Sequence, residues 1–126
     1  MTRFMKVIGA ALVCLFVVAS VALAALPRAG RIYKGTSTAN HKVKIVAETK
    51  HNLSLLRVVD SCDTVTKWTD VKVKDDGTFK AVKSNGDVDY YTVTGKFTRR
   101  SKAKGSISQV TCSGEPGDYV AKIQPQ

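Results

Sequence analysis

From residue 42 onward the chain repeats every two residues, and that period restricts its fold more than any other feature. In Lys42-Val43-Lys44-Ile45 the apolar side chains, continued by Ala47, fall on one side and the lysines on the other. Val71 and Val73 alternate with Lys72 and Lys74, and Phe79 and Ala81 bracket Lys80. Tyr91, Val93, Gly95 and Phe97 interleave with Thr92, Thr94, Lys96 and Thr98. A period of two places successive side chains on opposite faces of an extended strand, one toward a core and one toward water. No window holds a helical repeat for more than two turns. The expected fold is therefore all-β: an antiparallel β-sandwich of about seven to nine strands, with a small β-barrel as the alternative.

Turn residues punctuate this pattern. Asp75-Asp76-Gly77 predicts a tight hairpin of type I′, in which Asp-Gly accepts positive φ. Asn85-Gly86 predicts a second turn, and the polar run Arg99 to Ala103 a third, leading to a strand near Lys104–Cys112. Gly114, Pro116 and Gly117 break the chain before a closing strand, Tyr119 to Ile123. Asn52 to Asp60 carries Leu53, Leu55, Leu56, Val58 and Val59 without alternation. We read it as a strand buried on both sides, a short helix being the alternative. The segments around Pro27–Gly30 and Gln124–Gln126 are expected to be loose.

The first residues have a different character. Arg3 and Lys6 precede an uncharged run, Val7 to Leu26, that contains the small-residue triplet Ala22-Leu23-Ala24. A positive start, an apolar middle and an Ala-x-Ala ending mark a secretory signal peptide. The expected organisation is a signal helix over 1–24, cleaved or retained as a membrane anchor, followed by one β-domain over 25–126. Cys14 is a passive apolar residue of that leader. Export leaves Cys62 and Cys112, an even count in an oxidising compartment, and predicts one disulfide between them. Such a bridge closes a loop of about 50 residues and contributes roughly 4 kcal/mol by chain entropy. Cleavage removes two cations and no acid, so the full chain's +10 falls to a net +8. A field of that sign favours anionic surfaces such as wall polymers, phospholipid headgroups and acidic glycans, and also keeps an exported protein soluble.

Catalytic patterns are not found. A hydrolase triad needs a serine in a defined turn, a histidine and an orienting acid, and no Gly-x-Ser-x-Gly elbow occurs. His41 and His51 lie in polar, turn-like stretches and read as solvated loop residues. Their spacing matches no zinc site. Asn85-Gly86-Asp87-Val88-Asp89 alternates oxygen-bearing side chains, but Tyr90 and Lys96 stand where an EF-hand loop needs glycine and glutamate. It reads as a turn. Trp68 is expected in the core with its N–H on one partner. The remaining cluster is cationic: Lys96, Arg99, Arg100, Lys102 and Lys104 crowd one hairpin tip and flank, a geometry that attracts phosphate or sulfate groups. Tyr90, Tyr91 and Phe97 stand beside it as candidates for stacking. Lysines at turns and sheet edges also prevent edge-to-edge aggregation, the plainer explanation of such a cluster.

Tyr33-Lys34-Gly35-Thr36, Gly77-Thr78-Phe79, Tyr91-Thr92-Val93-Thr94-Gly95-Lys96-Phe97, Lys104-Gly105-Ser106-Ile107, Cys112-Ser113-Gly114 and Ala121-Lys122 follow one another along the chain. In that order they resemble a small exported β-sandwich module found among bacterial proteins of unknown function. Tyr119 stands where such modules usually carry tryptophan. The resemblance implies two antiparallel sheets and a disulfide, and no activity. The function expected from the sequence is a non-catalytic, secreted or envelope-associated domain without cofactor or metal. It binds an anionic extracellular or cell-envelope ligand through the basic hairpin, with no specific nucleic acid, and is expected to be a monomer. A secreted enzyme inhibitor is the alternative, and a small hydrolase stands third.

Overall fold

The computed structural model describes residues 25–109 and 116–126. The expected leader over 1–24, Cys14 and Cys112 lie outside the described residues. Every regular element described is a strand: β1 (Ile32–Ser37), β2 (Lys42–Thr49), β3 (Asn52–Val59), β4 (Val65–Trp68), β5 (Val71–Lys72), β6 (Thr78–Ser84), β7 (Asp89–Arg99), β8 (Lys102–Gln109) and β9 (Gly117–Ile123). All pairings are antiparallel.

The ladder runs without a break in the order β4-β3-β2-β1-β9-β8-β7-β6, with the short β5 also on β3. The two-sheet sandwich expected from the sequence therefore gives way to one sheet of nine strands, curled until it is nearly closed into a barrel. The physical reason is the pairing of β1 with β9, Tyr33 opposite Ile123 through Ser37 opposite Tyr119. Strand periodicity shows that a face is buried; it cannot show which distant strand lies alongside.

The curl encloses one core. Val43, Ile45 and Ala47 point inward, as do Phe79 and Ala81, and Tyr91, Val93 and Phe97. Tyr33 meets Phe97 edge-on with centroids 5.3 Å apart, and Phe79 tilts against Phe97 at 5.6 Å. Gly95 is required here, because a Cβ would stand 2.2 Å from the Phe79 ring. The apolar run in β3 is a strand, and its missing alternation has a cause. Val46 faces Leu55 but Ala47 faces Leu53, so Ser54 is the extra residue of a β-bulge. The bulge resets the phase and lets Leu53 and Leu56, an odd number of residues apart, both lie fully buried, with Val58 following in step.

The Asp75-Asp76-Gly77 turn forms, but not as type I′. Neither aspartate has positive φ; only Gly77 does, at 83°. The Gly77 N–H donates to the Lys74 carbonyl and the Lys74 N–H to the Thr78 carbonyl, the three-residue loop in which a turn is followed by a left-handed glycine. The ends are also tied rather than loose. Pro27 is fully buried, the Arg28 N–H donates to the Tyr33 hydroxyl, and the Gln124 N–H donates to the Ile32 carbonyl.

Candidate anion-binding face

Antiparallel partners share a face of the sheet, so the register identifies which outward side chains are neighbours. Lys67 stands opposite Arg57, and Arg57 opposite Lys44. Lys44 faces Lys34, and Lys34 faces Lys122 across the β1–β9 junction. Lys122 faces Lys102, and Lys102 faces Arg99. The result is a row of cations, one from each of seven consecutive strands, on the outer surface. At ordinary strand spacing the row is about 29 Å long, measured along the sheet. Lys96 and Lys104, directly opposite one another, add a second rank beside its β7–β8 end.

Like charges placed opposite one another destabilise a sheet. Lys102 shows the effect: crowding by Lys104, then partial desolvation, then Arg99 and Lys122 hold its ammonium below the ordinary lysine value. No carboxylate among the described residues pairs with the row. Among the described residues the one ion pair is His51 with Asp75, at 3.0 Å and exposed. Between β1, β2 and β3 the outer surface forms an open groove of about 390 Å³, lined by Lys34, Thr36, Lys42, Lys44, Arg57 and Val59. A chain of phosphate, sulfate or carboxylate groups fits such a surface chemically, each group meeting one or two cations.

The cluster read from the sequence divides in two. Arg99 and Lys102 belong to the row, and Lys96 and Lys104 flank it. Arg100 does not join: it sits at the tip of the β7–β8 turn, where its carbonyl accepts from the Tyr33 hydroxyl. Two of the three expected aromatic neighbours are withdrawn, since Tyr91 is 2% exposed and Phe97 is 0% exposed, both inside the barrel, while Tyr90 is half-buried against the core. Sequence reasoning missed Lys34, Lys44, Arg57, Lys67 and Lys122. Their outward orientation follows from alternation. Their alignment depends on the junction of β1 with β9.

The opposite kind of polar site lies inside one end of the barrel. His41 was expected in solvent and is fully buried. The Ser37 hydroxyl oxygen accepts the N–H of Ala39 (3.1 Å) and of His41 (2.9 Å), so its own proton goes to His41 Nδ1 at 2.7 Å. That arrangement places the imidazole proton on Nε2, a buried atom with no partner among the described residues. Burial lowers the His41 pKa, and the nearby Asp60 carboxylate only partly offsets it. Asp60 Oδ1 in turn accepts the N–H groups of Cys62 and Thr64, both at 2.9 Å. Burial, with Asp60 assisting and Thr66 opposing, pushes the Tyr91 hydroxyl up to about 12. Gln109, opposite Tyr91, keeps both amide atoms buried and without a partner among the described residues. A serine, a histidine and an aspartate thus converge here, but the Ser37 oxygen is 94% enclosed with its residue and is engaged by two amides, a capped turn rather than a nucleophile.

Other candidates resolve simply. His51 is exposed against Asp75. Asn85 Oδ1 accepts the N–H groups of Asp87 and Val88, which makes Asn85–Asp89 the entry turn of β7. Trp68 is in the core and meets Tyr91 edge-on at 5.4 Å, but its N–H finds no partner among the described residues.

No family model, no curated protein and no solved structure matches this chain.

Proposed function

We propose that the chain is an exported, non-catalytic β-domain that binds an extended anionic ligand of the cell envelope or extracellular space along its row of cations. The observation that carries this reading is the seven-strand register itself. Like charges are aligned from Lys67 to Arg99 without a carboxylate between them, and each adjacent pair is a cost in the unliganded sheet that a bound polyanion removes. Scattered lysines would keep the protein soluble equally well without that cost.

Export rests on the leader pattern, with cleavage after Ala24. The bridge between Cys62 and Cys112 belongs to the same reading. Cys62 follows Asp60 in the β3–β4 turn, and residue 112 follows Gln109 by three positions.

The experiment is retention on immobilised heparin, used as a generic sulfated polyanion, as a function of salt. The logarithm of the binding constant should fall linearly with the logarithm of salt, with a slope that counts neutralised groups. Lys34→Gln, Lys44→Gln and Lys122→Gln together should reduce the slope by about three. Lys50→Gln, Lys72→Gln and Lys80→Gln, equal in charge but off the row, should leave most of it. Equal loss in both triple variants overturns the proposal.

A further inference from the structure

The sheet closes everywhere but at one seam. Its terminal strands, β4 with β5 on one side and β6 on the other, are not paired to each other. They border a groove of about 650 Å³. At one end the gap is stitched shut, where the Lys74 N–H donates to the Thr78 carbonyl at 2.9 Å. Beyond Thr78 the stitching stops. The Thr78 carbonyl points into the seam, while the Gly77 carbonyl takes the Phe97 N–H on the β7 side. Strand alternation then turns the backbone groups of Lys80 and Val82 into the seam as well, where no described residue pairs with them. The inner wall is apolar, with Trp68, Val71, Phe79 and Ala81. The outer rim is mainly cationic: Lys72, Lys74 and Lys80 are exposed and without ion pairs among the described residues, and Asp70 is the one carboxylate of the lining.

We propose that this seam is a strand-docking site for an extended peptide segment that alternates apolar and acidic residues. A free sheet edge recognises an extended chain through backbone hydrogen bonds, and the side chains beside it select the sequence. A strand laid along β6 would turn alternate side chains inward, over Phe79 and Ala81, and the others outward, toward Lys72 and Lys80. The inward positions call for valine-like groups and the outward ones for carboxylates. A second copy of this chain is the poorer occupant, because two lysine-bearing β6 edges would meet like to like. The site is independent of the cation row, which lies on other strands for most of its length.

The lone Trp68 lines the groove and provides the readout. The test titrates the disulfide-intact mature protein with a short synthetic peptide of alternating valine and glutamate and follows Trp68 emission. Amide exchange at Lys80 and Val82 is followed in parallel. The expected result is a saturable change in emission together with slowed exchange at both amides. A peptide of the same sequence N-methylated at alternate residues, with charge unchanged, should bind roughly ten-fold more weakly or worse. Lys80→Glu should weaken binding similarly, and Lys34→Gln with Lys44→Gln should not. Equal binding of the methylated peptide would reduce the effect to charge and overturn the proposal. So would an unresponsive Trp68, or a concentration-dependent dimer that protects the Lys80 and Val82 amides without peptide.

Discussion

The outer row of cations and the buried end around His41 handle polar groups in opposite ways. On the outside, Lys34, Lys44 and Lys122 are aligned with their own kind, with no ion pair among the described residues. Inside, Ser37 and His41 are enclosed, and the backbone and one another supply their few partners, while the Gln109 amide has none among the described residues. The difference separates the variables that act on each. The row responds to salt, because lysine and arginine stay protonated across the neutral range and exposed like charges are screened. The buried end responds to pH and to loss of hydrogen bonds, because a neutral imidazole enclosed in protein has no screening ions around it.

The largest expected effect belongs to the interior. Ser37→Ala strands His41 Nδ1 and the two N–H groups that the hydroxyl accepts, and should cost about 2–4 kcal/mol in urea unfolding. A loss under half a kcal/mol would mean that the end is wet and the comparison fails. Acid titration is the next test. The His41 pKa is depressed below its usual 6.5, chiefly by burial. The unfolded chain therefore binds its proton first. The stabilisation is complete above about pH 6.5 and is lost as pH falls through the lower folded value. Unfolding midpoints for the native chain and a His41→Asn variant should diverge below that pH, and parallel curves would contradict the assignment.

A gain of function in the same region sharpens the contrast. Gln109→Met replaces a buried amide whose oxygen and nitrogen both lack partners among the described residues, and should stabilise the fold by about 1 kcal/mol in thermal or urea unfolding. The smallest effect is on the surface. Lys34→Gln with Lys44→Gln should raise stability by about 0.5 kcal/mol at low salt and by nothing measurable near 1 M, where screening already removes the repulsion. A gain that survives high salt would show that charge alignment is not its source.

Which parts were legible follows the same division between local and distant information. Val43, Ile45, Ala47 and the β7 series gave their inward face directly, since alternation is a local property. The Leu53–Val59 run was legible as a strand but not in its phase, because the Ser54 bulge depends on the partner strand. Asp75-Asp76-Gly77 announced a turn, while the turn type was decided by Gly77 alone. His41 was misplaced because its neighbours are polar. It is Ser37, four residues away, and the Asp60 turn from another part of the chain that make a buried imidazole tolerable. The hairpin cations were visible as a cluster in sequence. The row that absorbs Arg99 and Lys102 was not, since Lys34 and Lys122 are neighbours only through a pairing of the first strand with the last.

Lysine footprinting tests the row most directly. The protein is acylated with a small amine-reactive reagent, with and without a bound polyanion, and each lysine is quantified by mass spectrometry. Lys34, Lys44, Lys67, Lys102 and Lys122 should be protected together, while Lys50, Lys72 and Lys80 react at their free rates. Protection spread evenly over all lysines, or confined to Lys96 and Lys104 at the hairpin, would contradict the account.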